Sequence, residues 1–406
     1  MTDALCHLVA DGNEVVQLKL VRSIEDIDDD DTTFGPEMCH QVFGENENIF
    51  GYSNLSIKLY YTAGSLQTYL GIEYSEQVEE NPTEGVKADD IQGAIKKILA
   101  PGYVTNIDRF VTFLEKDKKF QPMGRLIHVF TATPRDGGAK HTFEIYFCEP
   151  TTPGYLKYHR RLQTFLLWYV DAASFIDTTD SFWTFFTVFE KFQTSEGDTR
   201  YATAAYSTVY RYYGYPSHMR PRISQVLTLP PFRRLGICTE LLKTIYSYFT
   251  TNKTVIDMTV EDPSEDFQRI RDCVDAKNCS RLQAFQPEKL VQGFTREMEK
   301  EAQSELKINK KQARRVYEIL RLKCTNTSDL AAYTKYRLDI KRRLNAPFQR
   351  RKLEVKKLKR TLRPDELEAA GVEPSLSDTH GRLSSQYAAL EDEYRRVIHR
   401  IEQDPE

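Results

Sequence analysis

The chain has 406 residues, 40% of them hydrophobic and 12% aromatic, with a formal net charge of −3, which is enough apolar material for a large core divided over two or three domains. The near-neutral balance excludes whole-molecule attraction to nucleic acid or an anionic membrane, so a charged partner must be met by a local patch. Seven cysteines (6, 39, 148, 238, 273, 279 and 324) form neither paired CxxC motifs nor an even disulfide framework, which predicts a reducing compartment and no metal centre.

The N-terminus, MTDALCHLVADGNEVV, lacks a basic flank and an apolar stretch of signal length, and no run of about 20 apolar residues follows, so a soluble intracellular protein is expected. The acidic run Glu25 to Asp31 reads as a solvated loop. Ile57 to Tyr61 and Gln67 to Tyr74 read as strands joined through Ala63-Gly64-Ser65 as a hairpin. Leu126 to Thr131 and Thr142 to Cys148 are further strands around an Arg135-Asp-Gly-Gly138 turn. Tyr155 to Ala173 has helical spacing, with Leu162, Phe165, Leu166 and Tyr169 on one face. Phe182 to Phe192 and Ala202 to Tyr213 are aromatic-rich strands separated by Ser195-Glu-Gly-Asp198.

Ser224 to Leu229 is a short apolar strand that Pro230-Pro231 must stop, because neither proline can donate to a ladder. Arg233 to Cys238 then opens a helix whose apolar positions, Leu241, Leu242, Ile245, Tyr248 and Phe249, recur at helical spacing. A strand feeding a glycine turn at a helix N-terminus is an anion cradle: free N–H groups and the positive dipole end point the same way. Val255 to Val260 is a further strand, ended by Pro263 after Glu261 and Asp262, and Glu265 to Cys273 a helix.

Phe285-Gln-Pro287 marks a boundary after which the chain turns charged and helical, with one long helix from Ala302 to Leu322. Residues 341 to 363 hold eleven Lys or Arg against the single acid Glu354, as a nuclear-localisation signal, a phosphate-binding patch or an exposed basic helix interrupted near Pro347. Pro364 ends it, Gly371 to Ser377 reads as a linker, and a polar helix closes the chain near Leu383 to Ile401.

The order strand, basic residue, two variable residues, Gly, one residue, small residue, helix resembles the Gln/Arg-x-x-Gly-x-Gly/Ala pyrophosphate loop of the GNAT acetyltransferases. Its surroundings are more specific: Arg220-Pro-Arg-Ile-Ser-Gln225, Leu229-Pro-Pro-Phe232 and Val260-Glu-Asp-Pro-Ser264. With Phe50-Gly-Tyr52, Ala63-Gly-Ser-Leu66, Ala173-Ser-Phe-Ile-Asp177 and the run Ile308 to Leu320, they resemble the type B histone acetyltransferase catalytic subunits over roughly residues 1 to 325.

The resemblance implies an α+β protein with a GNAT-type mixed sheet and flanking helices in residues 116–280. A smaller α+β domain in 1–115 would contact the histone tail, and a helical C-terminal domain in 281–345 would precede the basic segment, linker and terminal helix of 346–406. It implies acetyl-CoA as cofactor. Backbone groups of Val226, Leu227 and Thr228 would pair with the pantetheine, and Arg233, Arg234, Leu235, Gly236, Ile237, Cys238 and Thr239 would face the pyrophosphate. Ser264 and Phe267 match positions that touch the coenzyme, although a serine there could equally cap the following helix. Trp183, Tyr210 and Tyr212 would line the channel for the lysine stem, and Glu45 and Glu47 would meet the basic tail.

Lysine has a pKa near 10.4, so exposing its neutral amine at pH 7 costs about 4–5 kcal/mol, and a carboxylate must take the proton. Glu261 stands where the family has its general base, and its repulsion with Asp262 and partial burial would raise the proton affinity of one of them. Asp171, on the predicted helix 155–173, matches an assisting glutamate of the family. Two departures stand out: Cys238 replaces the family's Gly or Ala, and Asp171 is a methylene short. The implied reaction is direct acetyl transfer to lysines of newly made histone H-four tails, in nucleus and cytoplasm. The implied partner is a WD-repeat histone-chaperone subunit, with no membrane and no established direct nucleic-acid site. Two rivals remain, another GNAT activity on protein N-termini or small amines, and a histone-binding scaffold of reduced activity.

Overall fold

The computed structural model describes residues 7–80, 85–134, 137–361 and 379–403. They divide into two compact units, 1–212 with 221–247, and 213–220 with 248–406.

In the first unit, β1 (Val16–Val21) pairs in parallel with β2 (Ser56–Thr62), Leu18 opposite Leu59, and β2 pairs antiparallel with β3 (Thr68–Glu73). The expected hairpin is present. The Asp117 carboxylate pins its turn, accepting from the N–H groups of Gly64 (2.9 Å) and Ser65 (2.8 Å). The acidic run is more than a solvated loop. Its backbone carbonyls, not its carboxylates, wrap the buried Lys19, whose Nζ donates to Asp26 O (3.2 Å), Ile27 O (2.9 Å) and Asp29 O (2.9 Å). A buried ammonium needs such acceptors on every donor.

The second sheet runs in the order β4 (Arg125–Ala132), β5 (His141–Cys148), β6 (Trp183–Gln193), β7 (Thr199–Gly214) and β8 (His218–Thr228). The pairs β4–β5, β5–β6 and β6–β7 are antiparallel. The expected turn at 135–138 falls partly outside the described residues. The strand expected at 224–229 begins earlier, at His218, and carries Pro221 within it.

The predicted helix 155–173 is shorter and broken: α1 (Tyr155–Leu162), a 3-10 turn at 163–165, and α2 (Leu166–Tyr169). Val170 is extended (φ −131°, ψ 114°) and Ala172 is left-handed (φ 53°), so Asp171 lies in the turn after the helix, not on it. The predicted face, Leu162, Phe165, Leu166 and Tyr169, is buried. So are Tyr155, Tyr158 and His159, whose rings meet Phe185 and Phe189 of β6 at 4.8–5.9 Å. The tyrosine hydroxyls are satisfied by Thr187 (2.9 Å) and Thr203 (2.8 Å).

In the second unit, the strand expected at 255–260 contracts to β9 (Thr259–Val260) and two isolated bridges, Met219 with Val255 and Met258 with Ile308. Around a common core that includes Cys273, Met298, Val316, Tyr317, Tyr336 and Tyr394 lie, among the described residues, the short helix Pro287–Leu290 and five longer ones. The longer ones are α4 (Glu265–Cys279), α5 (Arg296–Leu306), α6 (Lys310–Cys324), α7 (Leu330–Thr361) and α8 (Thr379–Gln403). The single helix expected over 302–322 is therefore two. Lys307 turns left-handed (φ 57°), and its carbonyl accepts from Met258 N (2.7 Å). Asn309 then caps α6, accepting from Gln312 N at 3.1 Å. Helical spacing continues across this break, so tertiary pairing decided it.

The expected interruption at Pro347 is absent: α7 continues through it. Arg343, whose carbonyl the proline leaves without its helical donor, is exposed, so water can take that group's place. The linker expected at 371–377 lies outside the described residues. Among those described, no helix is long and apolar enough to cross a membrane.

Candidate active site

The first unit carries a loop between β8 and α3 (Ile237–Thr250). The two prolines form a 3-10 turn, Pro230–Phe232, that ends the strand and buries Phe232. Two residues then turn left-handed, Arg234 (φ 65°) and Gly236 (φ 77°). The Gly236 carbonyl accepts the first helical bonds, from Thr239 N (3.0 Å) and Glu240 N (3.1 Å). Among the described residues, no carbonyl accepts the N–H groups of Arg234, Leu235 or Gly236. A Cβ built on Gly236 meets nothing within 4 Å, so the space beside it is open. Unpaired N–H groups, left-handed turns and a helix N-terminus are the components of an anion nest. At the strand end, the Thr228 hydroxyl is a buried polar group without a partner. A pyrophosphate and a polar chain lying along β8 fit these groups.

The two arginines of the loop separate. Arg233 is held inside the first unit: it ion-pairs with Glu37, donates to Thr228 O (3.3 Å) and sits over the Tyr169 ring at 5.2 Å. Arg234 is exposed and has no ion pair among the described residues. Of the pair, Arg234 has its charge available for a phosphate. Cys238 is the second residue of α3, outside the left-handed positions, so its backbone does not require glycine. Val226 and Thr228 are half-buried and Leu227 is buried.

An aromatic group is brought together by strand register. Trp183 lies directly opposite Tyr210, their rings meeting edge to face at 4.9 Å, and Tyr210 meets Tyr212 at 4.6 Å. The Tyr210 hydroxyl donates to Asp180 (2.8 Å), which raises its pKa because the bond stabilises the neutral phenol. Arg222 lies over the Tyr212 ring at 4.8 Å. The wall is anchored at Tyr210 and open at Tyr212, 42% exposed. Gln225 ties β8 to the irregular segment after α2, donating to Ser174 O (2.9 Å) while accepting from Thr208 (3.3 Å).

Glu47 and Asp171 meet through His40, whose Nδ1 is 3.7 Å from Glu47 and Nε2 3.2 Å from Asp171. Glu47 also accepts from Cys39 N (2.6 Å), His40 N (3.0 Å) and Asn13 Nδ2 (2.8 Å), and these bonds hold its carboxyl below the ordinary carboxylate range. Its oxygens are thus engaged in capping the short helix His40–Phe43. Glu45 is exposed and without such bonds among the described residues. His40, Glu37, Asp180 and Gln225 are not site candidates from sequence; each acts through a partner distant in the chain, and only Gln225 lies in a run that carries the resemblance.

In the second unit, Glu261 and Asp262 follow β9, and both are exposed, against the expected partial burial. The reason is local: the strand has ended at Val260, and Asp262 turns the chain at φ 29°, a conformation that costs a non-glycine residue of order 1–3 kcal/mol. Ser264 caps α4, accepting from Phe267 N at 3.3 Å, and Phe267 is half-buried.

A family model described as "Histone acetyl transferase HAT1 N-terminus" matches residues 8–171. A second, "Histone acetyltransferase type B catalytic subunit, C-terminal", matches 271–322. The human histone acetyltransferase type B catalytic subunit is 46% identical over 400 residues, covering 98% of this chain and 95% of its own length. The chain belongs to this family. The mouse protein of the same name is 46% identical over 98% of the chain and 96% of its own length, and that of the fungus Mycosarcoma maydis 32% over 77% and 76%. Neither family model spans residues 172–270, where the loop, the aromatic wall and Glu261 lie; the near-full-length relatives do. Family membership meets the expectation of a histone acetyltransferase, and the sheets and helices described above meet that of an α+β architecture with a helical C-terminal region.

Proposed function

We propose that this chain transfers the acetyl group of acetyl-CoA directly to lysine side chains of newly made histone H-four tails. The observation that carries the reading is the nest at Arg234–Gly236, with free N–H groups and open space beside the glycine. When bound, acetyl-CoA supplies an activated thioester. The chain's own residues do the rest. Loop N–H groups and Arg234 hold the pyrophosphate, and Val226 to Thr228 align the coenzyme's polar arm. Trp183, Tyr210 and Tyr212 enclose the aliphatic stem of the lysine and orient its amine, as aromatic faces suit a cation on an apolar stem.

Glu261 takes the proton that the amine must lose, with Asp262 beside it. Asp171, held by His40, assists by positioning. Glu45 meets the basic tail, whereas Glu47 supports that surface from within. A WD-repeat histone chaperone is the proposed partner, and nucleus and cytoplasm the proposed locations.

The test compares acetyl transfer from labelled acetyl-CoA to an H-four tail peptide, a peptide with a free N-terminus but no lysine, and a polyamine. The tail peptide should be preferred, and preference for either of the others would replace the reading by a different GNAT activity. Glu261→Gln should keep coenzyme binding and slow transfer at pH 7 by about 10²–10⁴-fold. Near-normal turnover would move the base to Asp262 or Asp171.

A further inference from the structure

Helix α7 changes character along its length. Its first half belongs to the core of the second unit, through Tyr336 and Ile340, with Leu344 packed against it. There Arg343 donates twice to the buried Glu318, at 2.7 Å each, and Lys341 lies over the Tyr387 ring at 5.2 Å. Beyond Phe348 the described side chains are all exposed: Gln349, Arg350, Arg351, Lys352, Leu353, Glu354, Lys356, Lys357 and Leu358. Five cations there face one acid. Arg350, Arg351, Lys352 and Lys356 form no ion pair among the described residues, and Arg342 a few turns earlier is likewise exposed and unpaired.

These cations do not share a face. Successive helical residues are about 100° apart, so Arg350, Arg351 and Lys352 fan around the axis, and Lys356 falls beside Lys352. A flat anionic surface would meet only part of them. A partner that flanks the helix on both sides meets them all, and a duplex groove has a phosphate wall on each side. An α-helix with its side chains is about 10–12 Å across, and the major groove is about 12 Å wide. From Arg342 to Leu358 the helix rises about 24 Å, enough to cross the groove and reach both backbones. Lys352 and Lys356, like charges one turn apart, repel each other in the free helix, and phosphates would remove that repulsion.

We propose that the exposed half of α7 is a sequence-independent contact for duplex nucleic acid, seated in the major groove with Arg350, Arg351, Lys352 and Lys356 on the phosphates. The experiment uses the full chain and two unrelated 24-base-pair DNA duplexes, followed by fluorescence anisotropy across a salt series. Both duplexes should bind with similar affinity. The variant Arg350→Gln/Arg351→Gln/Lys352→Gln/Lys356→Gln should bind at least about tenfold more weakly at 50 mM salt. Its slope of log affinity against log salt should be shallower by about 3–4, since each neutralised phosphate contributes about 0.9.

A second variant, Arg350→Lys/Arg351→Lys, keeps the charges and should bind nearly as the parent. Circular dichroism checks that both keep their helix content. An unchanged affinity in the glutamine variant overturns the proposal. So does tighter binding to a polyglutamate peptide or to phosphatidylserine vesicles than to duplex at equal charge concentration, which would assign the helix to an acidic protein or a lipid surface.

Discussion

Gly236→Ala separates the cradle from the fold. Gly236 sits at φ 77°, and an added Cβ would meet no protein atom within 4 Å. The change therefore costs the fold only the left-handed penalty of an L-residue, about 1–2 kcal/mol. Gly197, in the turn between β6 and β7, provides a matched control: φ 87° and again nothing within 4 Å. Both alanine variants should lower the melting temperature by a few degrees, and by similar amounts.

Only at position 236 does the methyl enter the space where a phosphate would approach the loop N–H groups. A hydrogen bond to a charged group is worth about 1.5–3 kcal/mol, so displacing the phosphate from one of them should weaken binding about 10–100-fold. Calorimetric titration with coenzyme A measures this directly, and thermal melts of both variants supply the stability arm. If Gly236→Ala bound coenzyme A within about twofold of the parent while losing stability like Gly197→Ala, the turn would be only a turn.

The two N-terminal glutamates should fail differently: Glu45→Gln should raise KM for a tail peptide modestly at low salt with unchanged melting, whereas Glu47→Gln should lower stability through the lost caps of Cys39 and His40, and equal behaviour in both assays would contradict the separation. Burial lowers the His159 pKa from 6.5 to about 3. The unfolded chain therefore binds the extra proton first. The contribution is complete above pH 6.5 and is lost as pH falls towards 3, at about 1.4 kcal/mol per unit. His159→Phe should flatten the acid limb of a stability–pH curve, and an unchanged limb would count against it. Glu318 is fully buried and accepts from Arg314 (2.8 Å), Arg343 (2.7 Å) and Tyr394 (2.8 Å). Glu318→Gln should cost towards the lower end of about 3–5 kcal/mol, because Arg343 is 39% exposed and can rehydrate. Urea unfolding monitored at the helices would show it, and a loss under about 1 kcal/mol would mean the hub is not a stabilising one.

What the sequence determined by itself was local. The two prolines after β8 had to end that strand, and the glycine before α3 had to permit a left-handed turn, because both effects are set by one residue's own covalent geometry. The β2–β3 hairpin and the buried face Leu162, Phe165, Leu166 and Tyr169 were likewise written in short-range pattern. The family resemblance then attached chemistry to those features.

Tertiary structure decided whatever depended on partners far along the chain. Helical periodicity runs unbroken from Ala302 to Leu322, yet Met258 pairs across Lys307 and Ile308 and splits it. The acidic run 25–31 looked like solvent-facing charge, and only the buried Lys19 reveals that its carbonyls are the working groups. Arg233 and Arg234 are indistinguishable as letters. Glu37 and Tyr169 take one and leave the other, since an arginine's charge serves whichever carboxylate or ring the fold brings within reach.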